Sequence, residues 1–96
     1  MDYGAQKYSM KAKRYIINHI SEKIYVEDIA SAVGLSVGYL SNIFKKTTGQ
    51  TLIEYINTVK LQRVRELRLT LGVTLKEAGK TVGFYDENYL SRLYKK

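Results

Sequence analysis

Two segments of the sequence place small polar and basic side chains at helical spacing, where they could hydrogen-bond to a nucleic acid. In the segment VGLSVGYLSNIFKK, residues 33–46, one helical face carries Gly38, Ser41, Asn42 and Lys45. In VGFYDENYLSRLYKK, residues 82–96, the matching face carries Asn88, Ser91, Arg92 and Lys95. Asparagine and arginine pair with base edges in the major groove, and lysine contacts phosphate. One such face is more simply the solvated side of an amphipathic helix, but its duplication in a basic chain favours DNA recognition.

The two segments belong to an internal repeat. Val26–Leu35 aligns with Leu75–Phe84, and Tyr39–Lys46 aligns with Tyr89–Lys96, with one residue inserted in the turn of the second copy. Two copies are too few for a solenoid. The repeat therefore indicates a duplicated supersecondary unit.

The first copy has the pattern of two helices joined by a short turn. An apolar face at i, i+3, i+4 and i+7 comprises Val26, Ile29, Ala30 and Val33. Gly34 follows as a helix end, and Ser36 is a suitable N-cap for a second helix that ends at Gly49. This second helix turns Leu40, Ile43 and Phe44 inward, as the second copy turns Leu90, Leu93 and Tyr94. Each copy is thus predicted to be a helix-turn-helix.

The segment between the copies predicts one long helix. Thr51 and Glu54 form a capping box, and the apolar stripe comprises Leu52, Ile56, Val59, Val64 and Leu67. About 18 helical residues span ~27 Å, against ~34 Å between successive major-groove faces, so the helix could hold two recognition helices one turn of DNA apart. An ordinary packing helix is the alternative, and both interpretations can hold together. Its basic residues are Lys60, Arg63, Arg65 and Arg68, some of which we expect to be solvated or paired with Glu66.

The N-terminal region predicts a helix that covers the first unit. Ala12, Ile16, Ile17 and Ile20 recur at helical spacing, so the helix is expected from about Tyr8 to His19. Residues 1–6 are expected to be disordered or a remnant of cloning. The domain is then 7–96, with the first helix-turn-helix at about 26–48, the linking helix at about 51–71 and the second helix-turn-helix at about 74–96.

Composition narrows the class of function. The net charge is +7, with 16 lysines and arginines against 9 acidic residues, which points to a polyanionic partner. The chain has no cysteine and only one histidine, His19, which we expect at the surface, so no metal site and no cofactor are predicted. It lacks a nucleophile–base pair and a glycine-rich phosphate loop, so no enzymatic activity is expected. No apolar run is long enough for a membrane span, and a cytoplasmic protein is the default.

Two other classes of protein compete with DNA binding. An all-α protein-interaction module with incidental basic charge would not retain DNA at physiological salt. A membrane-surface or RNA binder would need an exposed helix with bulky apolar residues, or exposed aromatic residues on a sheet, and the sequence supplies neither.

From about Lys11 to Lys96 the sequence resembles the DNA-binding domain of the AraC/XylS family of bacterial transcription regulators. The resemblance is carried by VEDIASAVGLSVGYLSNIFKKTTGQTLIEYI and LKEAGKTVGFYDENYLSRLYKK. It implies an all-α fold of six to seven helices, with two helix-turn-helix units that bind one face of double-stranded DNA. By position, it implies base contacts from Gly38, Ser41, Asn42, Glu87, Asn88, Ser91 and Arg92. The candidates for phosphate contact are Ser36, Tyr39, Lys45, Lys46 and Lys95.

The resemblance also implies partners beyond DNA. Members of the family carry a separate sensing module, so we expect an N-terminal sensor or receiver domain whose type this sequence does not identify. RNA polymerase is a candidate partner, no membrane partner is expected, and the isolated domain is expected to be monomeric. The expected location is the cytoplasm, at the bacterial nucleoid.

The second copy departs from the family pattern. Ala78 stands where a large aliphatic residue is usual, and Gly79 occupies the small-residue position that matches Ala30. Glu87 stands where the family often has proline. The chain ends at Lys96 without the family's final short helix, so we expect a truncated form. These departures predict that residues 74–96 are the less stable half of the domain.

Overall fold

A computed structural model describes residues 3–95, which form six α-helices and no β-strand. The helices are α1 (Tyr3–Asn18), α2 (Val26–Val33), α3 (Val37–Thr48), α4 (Leu52–Leu71), α5 (Leu75–Thr81) and α6 (Glu87–Tyr94). The pairs α2–α3 and α5–α6 are helix-turn-helix units, and α4 joins them. The predicted class, all-α with two such units and a long central helix, is confirmed.

The first unit has the larger core. Helices α1, α2 and α3 and the start of α4 bury one apolar cluster, in which Phe44, Leu40, Ile29 and Ile16 are fully enclosed. Tyr55 of α4 packs its ring edge-on against Phe44, with 5.5 Å between ring centroids. Because α1 covers this unit, the inward side of α3 is shielded from water along most of its length.

The second unit has a smaller core. Helices α5 and α6 pack on the middle and the C-terminal part of α4, and Val64, Ala78 and Val82 form the buried cluster. Leu90 of α6 is buried against α5, and a Cβ atom added to Gly79 would lie 2.3 Å from Leu90 Cδ2. Gly79 is therefore needed for the close approach of α5 and α6, and the smaller side chains of this copy are matched by tighter contact between its helices.

Side-chain caps determine where most of the helices begin. The Thr51 hydroxyl accepts from the Glu54 backbone N–H at 3.0 Å, and the Glu54 carboxylate accepts from the Thr51 N–H at 2.8 Å, which completes a capping box. Ser36 caps α3, Thr74 caps α5 and Asp86 caps α6, each by accepting from a backbone N–H in the first turn of its helix. These bonds satisfy backbone donors that a helix leaves free in its first turn.

Helix α4 gives the molecule its length. Its 20 residues correspond to ~30 Å at 1.5 Å per residue. The described residues measure 42 × 22 × 21 Å. Helix α4 packs against α3 in the first unit and against α5 and α6 in the second, so it holds the two units at opposite ends of an elongated body.

Helix α1 begins at Tyr3, before the predicted start at about Tyr8, so residues 3–6, expected to be disordered or a remnant of cloning, are helical in the structure. Ala5 and Ser9 continue the buried row of Ala12 and Ile16 toward the N-terminus. The Ser9 hydroxyl shares a 2.6 Å hydrogen bond with the hydroxyl of Thr47 on α3. Small side chains in this row gave no apolar signal in the sequence, although they allow α1 to lie close to α3. Residues 1 and 2, also expected to be disordered, lie outside the described residues.

Candidate nucleic-acid interface

The outward face of α3 is exposed as the sequence predicts. Burial of Leu40, Ile43 and Phe44 against α1 and α2 determines the rotation of the helix. Gly38, Asn42 and Lys45 then point to solvent, while Ser41 is half-buried at the edge of the face. A Cβ atom added to Gly38 would meet nothing within 4 Å. The centre of this face is therefore open enough for close approach of a large ligand.

The outward face of α6 is presented by an equivalent arrangement. Leu90 is buried, which leaves Glu87, Asn88 and Arg92 exposed and Ser91 half-buried. The Asp86 carboxylate accepts from the backbone N–H groups of Asn88 at 3.1 Å and Tyr89 at 3.2 Å. Asp86 and Glu87 thus place two negative charges at the N-terminal end of α6, where they interact favourably with the helix dipole.

The five phosphate candidates are all exposed: Ser36, Tyr39, Lys45, Lys46 and Lys95. The Ser36 hydroxyl already accepts from the Tyr39 backbone N–H at 3.2 Å, so it can approach phosphate only as a donor through its hydroxyl hydrogen. Tyr39 lies in the first turn of α3, at the same edge of the first unit as Ser36.

Lys45 has a partner in the free domain. Its Nζ lies 3.8 Å from a carboxylate oxygen of Glu54 and donates to the Gly49 carbonyl at 3.2 Å. The backbone N–H of Thr51, the Thr51 hydroxyl and then Lys45 hold the pKa of Glu54 below its ordinary value, so this carboxylate stays ionised. Both charged side chains of the pair are more than half exposed, so the pair is weak and phosphate can compete for the lysine.

Two side chains of α4 attach the second unit, and sequence reasoning assigned neither this role. Asn57 Nδ2 donates to the Tyr89 hydroxyl at 3.0 Å, which ties α4 to the first turn of α6. Lys60 is buried, and its ammonium donates to the backbone carbonyls of Glu22 and Val82. Lys60 is therefore neither solvated nor paired with Glu66, whereas Arg63 pairs with Glu66 at 3.3 Å, as expected for some of the basic residues of α4.

The burial of Lys60 corresponds to a feature of the sequence, namely its place in the apolar row of α4. Lys60 falls at i+4 between Ile56 and Val64, on the buried side of α4. Burial lowers the pKa of Lys60 to about 8, and the negative charge of Glu22 acts in the opposite direction. A charged residue inside an apolar row is thus a signal for a buried polar contact with a distant part of the chain.

The remaining candidates have structural explanations. His19 Nδ1 lies 2.7 Å from the Tyr15 carbonyl, and its ring stacks on that of Tyr15 with centroids 3.9 Å apart. Within residues 3–95, no group of three or more potential metal-binding side chains comes together. In the same range, no helix combines the length and the apolar character needed to cross a bilayer.

Comparison with known sequences identifies relatives among transcription regulators. A family model described as a helix-turn-helix domain matches residues 29–96. The HTH-type transcriptional activator Btr of Bacillus subtilis is 35% identical over 83 residues, and the xylose operon regulatory protein of Escherichia coli is 30% identical over 87 residues. These matches cover 86% and 91% of this chain but only 16% and 22% of the two relatives.

Solved structures share the whole fold. A transcriptional regulator from Chromobacterium violaceum, described by its AraC-type DNA-binding domain, superposes with a TM-score of 0.87 at 26% identity, over 98% of this chain and 84% of that one. The C-terminal domain of AraT, a response regulator from Geobacillus stearothermophilus, superposes with a TM-score of 0.85 at 26% identity, over 92% and 74%. The matches are to DNA-binding regulators and not to enzymes, and they favour DNA binding over a protein-interaction module.

Proposed function

Because this chain is a helix-turn-helix DNA-binding domain of the AraC/XylS family of transcription regulators, we propose a two-site mode of binding. In this mode, α3 and α6 bind two successive major-groove segments on one face of a duplex. Sequence-specific DNA binding in transcription regulation is the function of the domain. The observation that carries the two-site proposal is the exposure of equivalent polar faces on both helices. The 42 Å length of the body supports it, because successive major-groove segments lie ~34 Å apart.

In this proposal, the two units contact bases with different chemistry. Gly38, Ser41 and Asn42 form a shallow face, which suits close backbone approach and short hydrogen bonds. The second unit offers Asn88 and the longer Arg92, flanked by Ser91 and Glu87. Arginine pairs in two-pronged fashion with guanine, and asparagine with adenine. We therefore assign the stronger base discrimination to α6, with Arg92 on a guanine.

Phosphate contacts are assigned to the exposed groups that border the two faces. They are Ser36, Tyr39, Lys45, Lys46 and Lys95. The net charge of +7 supports a large sequence-independent contribution to affinity from counterion release. Lys45 exchanges its exposed partner Glu54 for phosphate on binding.

The proposal for the whole regulator reaches beyond this domain. The chain spans less than a third of the length of its two named relatives, and the AraT structure is described as a C-terminal domain. We therefore propose that an N-terminal sensor or receiver domain controls this one. We further propose that the isolated domain is a monomer, that the regulator contacts RNA polymerase, and that it works at the nucleoid in the cytoplasm.

Replacement of Arg92 tests the assignment of base contacts. The probe is the duplex that the wild-type domain selects from a random pool, together with its single-base variants. Arg92→Ala is expected to cost ~1–3 kcal/mol and to abolish discrimination at one base position. A loss that is uniform over all duplexes would instead make Arg92 a phosphate contact. Failure of the wild-type domain to enrich any sequence would contradict specific binding altogether.

Replacement of Lys45 tests the phosphate contacts, with Lys7→Ala as the matched control. Lys7 carries the same charge but lies on α1, which packs against the buried side of α3. Lys45→Ala is expected to weaken specific and non-specific binding alike and to reduce the salt slope of log K by about 1, whereas Lys7→Ala leaves the slope nearly unchanged. Equal slopes for the two variants would contradict the assignment.

A further inference from the structure

The middle of α4 contains a lysine that contacts both helix-turn-helix units. Lys60 is 3% exposed, and the only other buried polar side chain among residues 3–95 is that of Ser9. The Lys60 ammonium donates to the Glu22 carbonyl, in the loop between α1 and α2, and to the Val82 carbonyl, in the turn between α5 and α6. A side chain from the linking helix is thus bonded to the backbone of each unit.

Each of the two acceptors lies outside a helix. Val82 is the C-cap of α5 and lies four residues before the N-cap of α6, while Glu22 lies between the end of α1 and the start of α2. Carbonyls at such positions have no partner in the helical ladder, and buried ones must find a donor elsewhere. Lys60 supplies that donor, and its Nζ also lies 5.7 Å from the centre of the Phe84 ring.

The loop and the turn also touch each other directly. Gly83 has φ +80°, and a Cβ atom there would lie 2.8 Å from both the backbone C and O of Glu22. Ile20, at the start of the same loop, packs against the core of the second unit. Ile20, Glu22, Lys60, Val82 and Gly83 therefore form one site of contact between the units, which we call the junction.

Few contacts other than those of α4 and the junction join the two units. Helix α4 packs against α3 in the first unit and against α5 and α6 in the second, whereas neither α5 nor α6 packs to the same degree against α1, α2 or α3. Beside the junction, a cleft of about 330 Å³ separates the first half of α4 from the start of α6, with Ile53, Asn57 and Tyr85 among its walls. Without the bonds of Lys60, only the exposed Asn57–Tyr89 hydrogen bond would span this cleft within residues 3–95, and α5 and α6 could rotate about α4 into it.

We propose that Lys60 is a positioning residue that sets the angle between α3 and α6, and thereby the spacing of the two DNA segments that the domain recognises. Burial of a lysine costs desolvation, and an apolar side chain of similar shape is often no less stable at such a place. The directional hydrogen bonds to two backbone carbonyls instead fix the orientation of the two units relative to each other. A defined angle matters for two-site binding because the second contact adds affinity only when both helices can reach their DNA segments at the same time.

A measurement without DNA tests the inference on its own. The chain has no cysteine, so spin labels can be placed at Ser31→Cys on α2 and Lys80→Cys on α5, both exposed positions. A narrow distance distribution between the labels is expected for Lys60, and a broader or shifted one for Lys60→Met. Lys60→Arg, which retains several donors, is expected to restore the narrow distribution. An unchanged distribution in Lys60→Met would overturn the proposal.

Two further variants separate geometry from stability. Val64→Ala removes packing one turn further along α4 but leaves Lys60 in place, so the label distance should stay narrow. If Lys60→Met does not fold, Lys60→Gln serves the same purpose, because its shorter amide cannot reach both carbonyls. A broad distribution in Val64→Ala equal to that in the Lys60 variant would assign the effect to lost stability and overturn the proposal.

The DNA measurement rests on the proposed two-site function. It distinguishes a failure of that function from a failure of the role proposed for Lys60. The probes are the selected duplex, the same duplex with one base pair added or removed between the half-sites, and each half-site alone. Lys60→Met is expected to bind the intact duplex about 10-fold more weakly, to lose the dependence on spacing, and to keep its affinity for each half-site. A wild-type domain that gains nothing from two half-sites would contradict the two-site function. A wild-type gain that Lys60→Met retains in full, with the same spacing dependence, would contradict the role of Lys60.

Discussion

The two helix-turn-helix units present similar outward faces on unequal cores. Leu40 in α3 and Leu90 in α6 are equivalent in the repeat and are 0% and 1% exposed. Around Leu40 lie Phe44, Ile29 and the covering helix α1, whereas Leu90 lies against Gly79 in a unit that no helix within residues 3–95 covers as α1 covers the first. The comparison shows that a polar outward face can be kept while the supporting core changes, because the face requires only a helix with a defined rotation.

The difference between the cores has a direct consequence for stability. Ala78 and Gly79 stand where the first unit has Ile29 and Ala30, so the second unit buries less apolar surface per helix. At ~25 cal/mol per Å² of apolar surface, the smaller buried side chains of the second unit contribute less hydrophobic stabilisation than those of the first. We therefore expect the first unit to hold the stability of the domain, and the second to depend on α4, the junction and DNA.

The largest expected effect comes from truncating the equivalent leucines. Leu40→Ala and Leu90→Ala should each cost ~2–5 kcal/mol of unfolding free energy, with Leu40→Ala at the upper end because its larger neighbours leave a cavity that cannot collapse. Urea unfolding followed by circular dichroism measures both. A greater loss for Leu90→Ala would reverse the proposed order of the two cores.

The glycines at equivalent turns give a matched pair with the same backbone strain. Gly34 and Gly83 both have φ +80°, but an added Cβ meets nothing within 4 Å at Gly34 and meets the Glu22 backbone at Gly83. Gly34→Ala should cost ~1–2 kcal/mol from left-handed strain, and Gly83→Ala ~2–4 kcal/mol because the clash adds to it. Equal losses of unfolding free energy for the two variants in chemical denaturation would show that the junction relaxes around the added Cβ atom at no cost.

Hydrogen exchange compares the units in the intact domain. Amides of α5 should open with a free energy about 2 kcal/mol below that of α2, which corresponds to ~30-fold faster exchange. Addition of the selected duplex should reduce the difference, since DNA binding stabilises the weaker unit. Equal protection of Val26–Val33 and Leu75–Thr81 in the free domain would remove the asymmetry that the comparison asserts.

The smallest expected effect concerns the pH dependence of the junction. Between pH 8 and the ordinary lysine pKa of 10.5, Lys60 is neutral in the folded state and charged in the unfolded state. The unfolded state then binds more protons, so the free energy of unfolding rises with pH in this window. Relative to Lys60→Met, in which all other titrations are retained, the wild-type domain should gain ~1–2 kcal/mol between pH 7 and about pH 9.5. Urea titrations at several pH values measure this, and a constant difference between the two proteins would contradict burial of the lysine.

Much of the fold can be predicted from the sequence because its signals are local. Ser36 and the pair Thr51 and Glu54 mark helix starts, and each cap forms in the structure. The outward faces of α3 and α6 also follow from local spacing, since the buried residues Leu40 and Leu90 determine the rotation of each helix. Such signals act within one or two turns of chain and need no knowledge of distant contacts.

The start of α1 could not be predicted in this way. Ala5 and Ser9 are buried because Thr47 and the rest of α3 lie against them, and a small residue carries no apolar signal of its own. The same holds for Gly79, which is a weak helix former in isolation and is required only by the approach of Leu90. In both places the structure depends on the element that packs against the residue, and not on the residue's own helix propensity or hydrophobicity.

The sequence by itself determined the repeat, the helix caps, the polar faces and the basic charge, and with them the prediction of a domain that binds DNA through two similar units. Tertiary structure alone decided how those units are joined. Lys60 is 38 residues from Glu22 and 22 from Val82, and no local period relates the three. Whether a lysine is solvated or buried depends on which backbone carbonyls the fold brings to it, because only paired donors and acceptors can leave water at moderate cost.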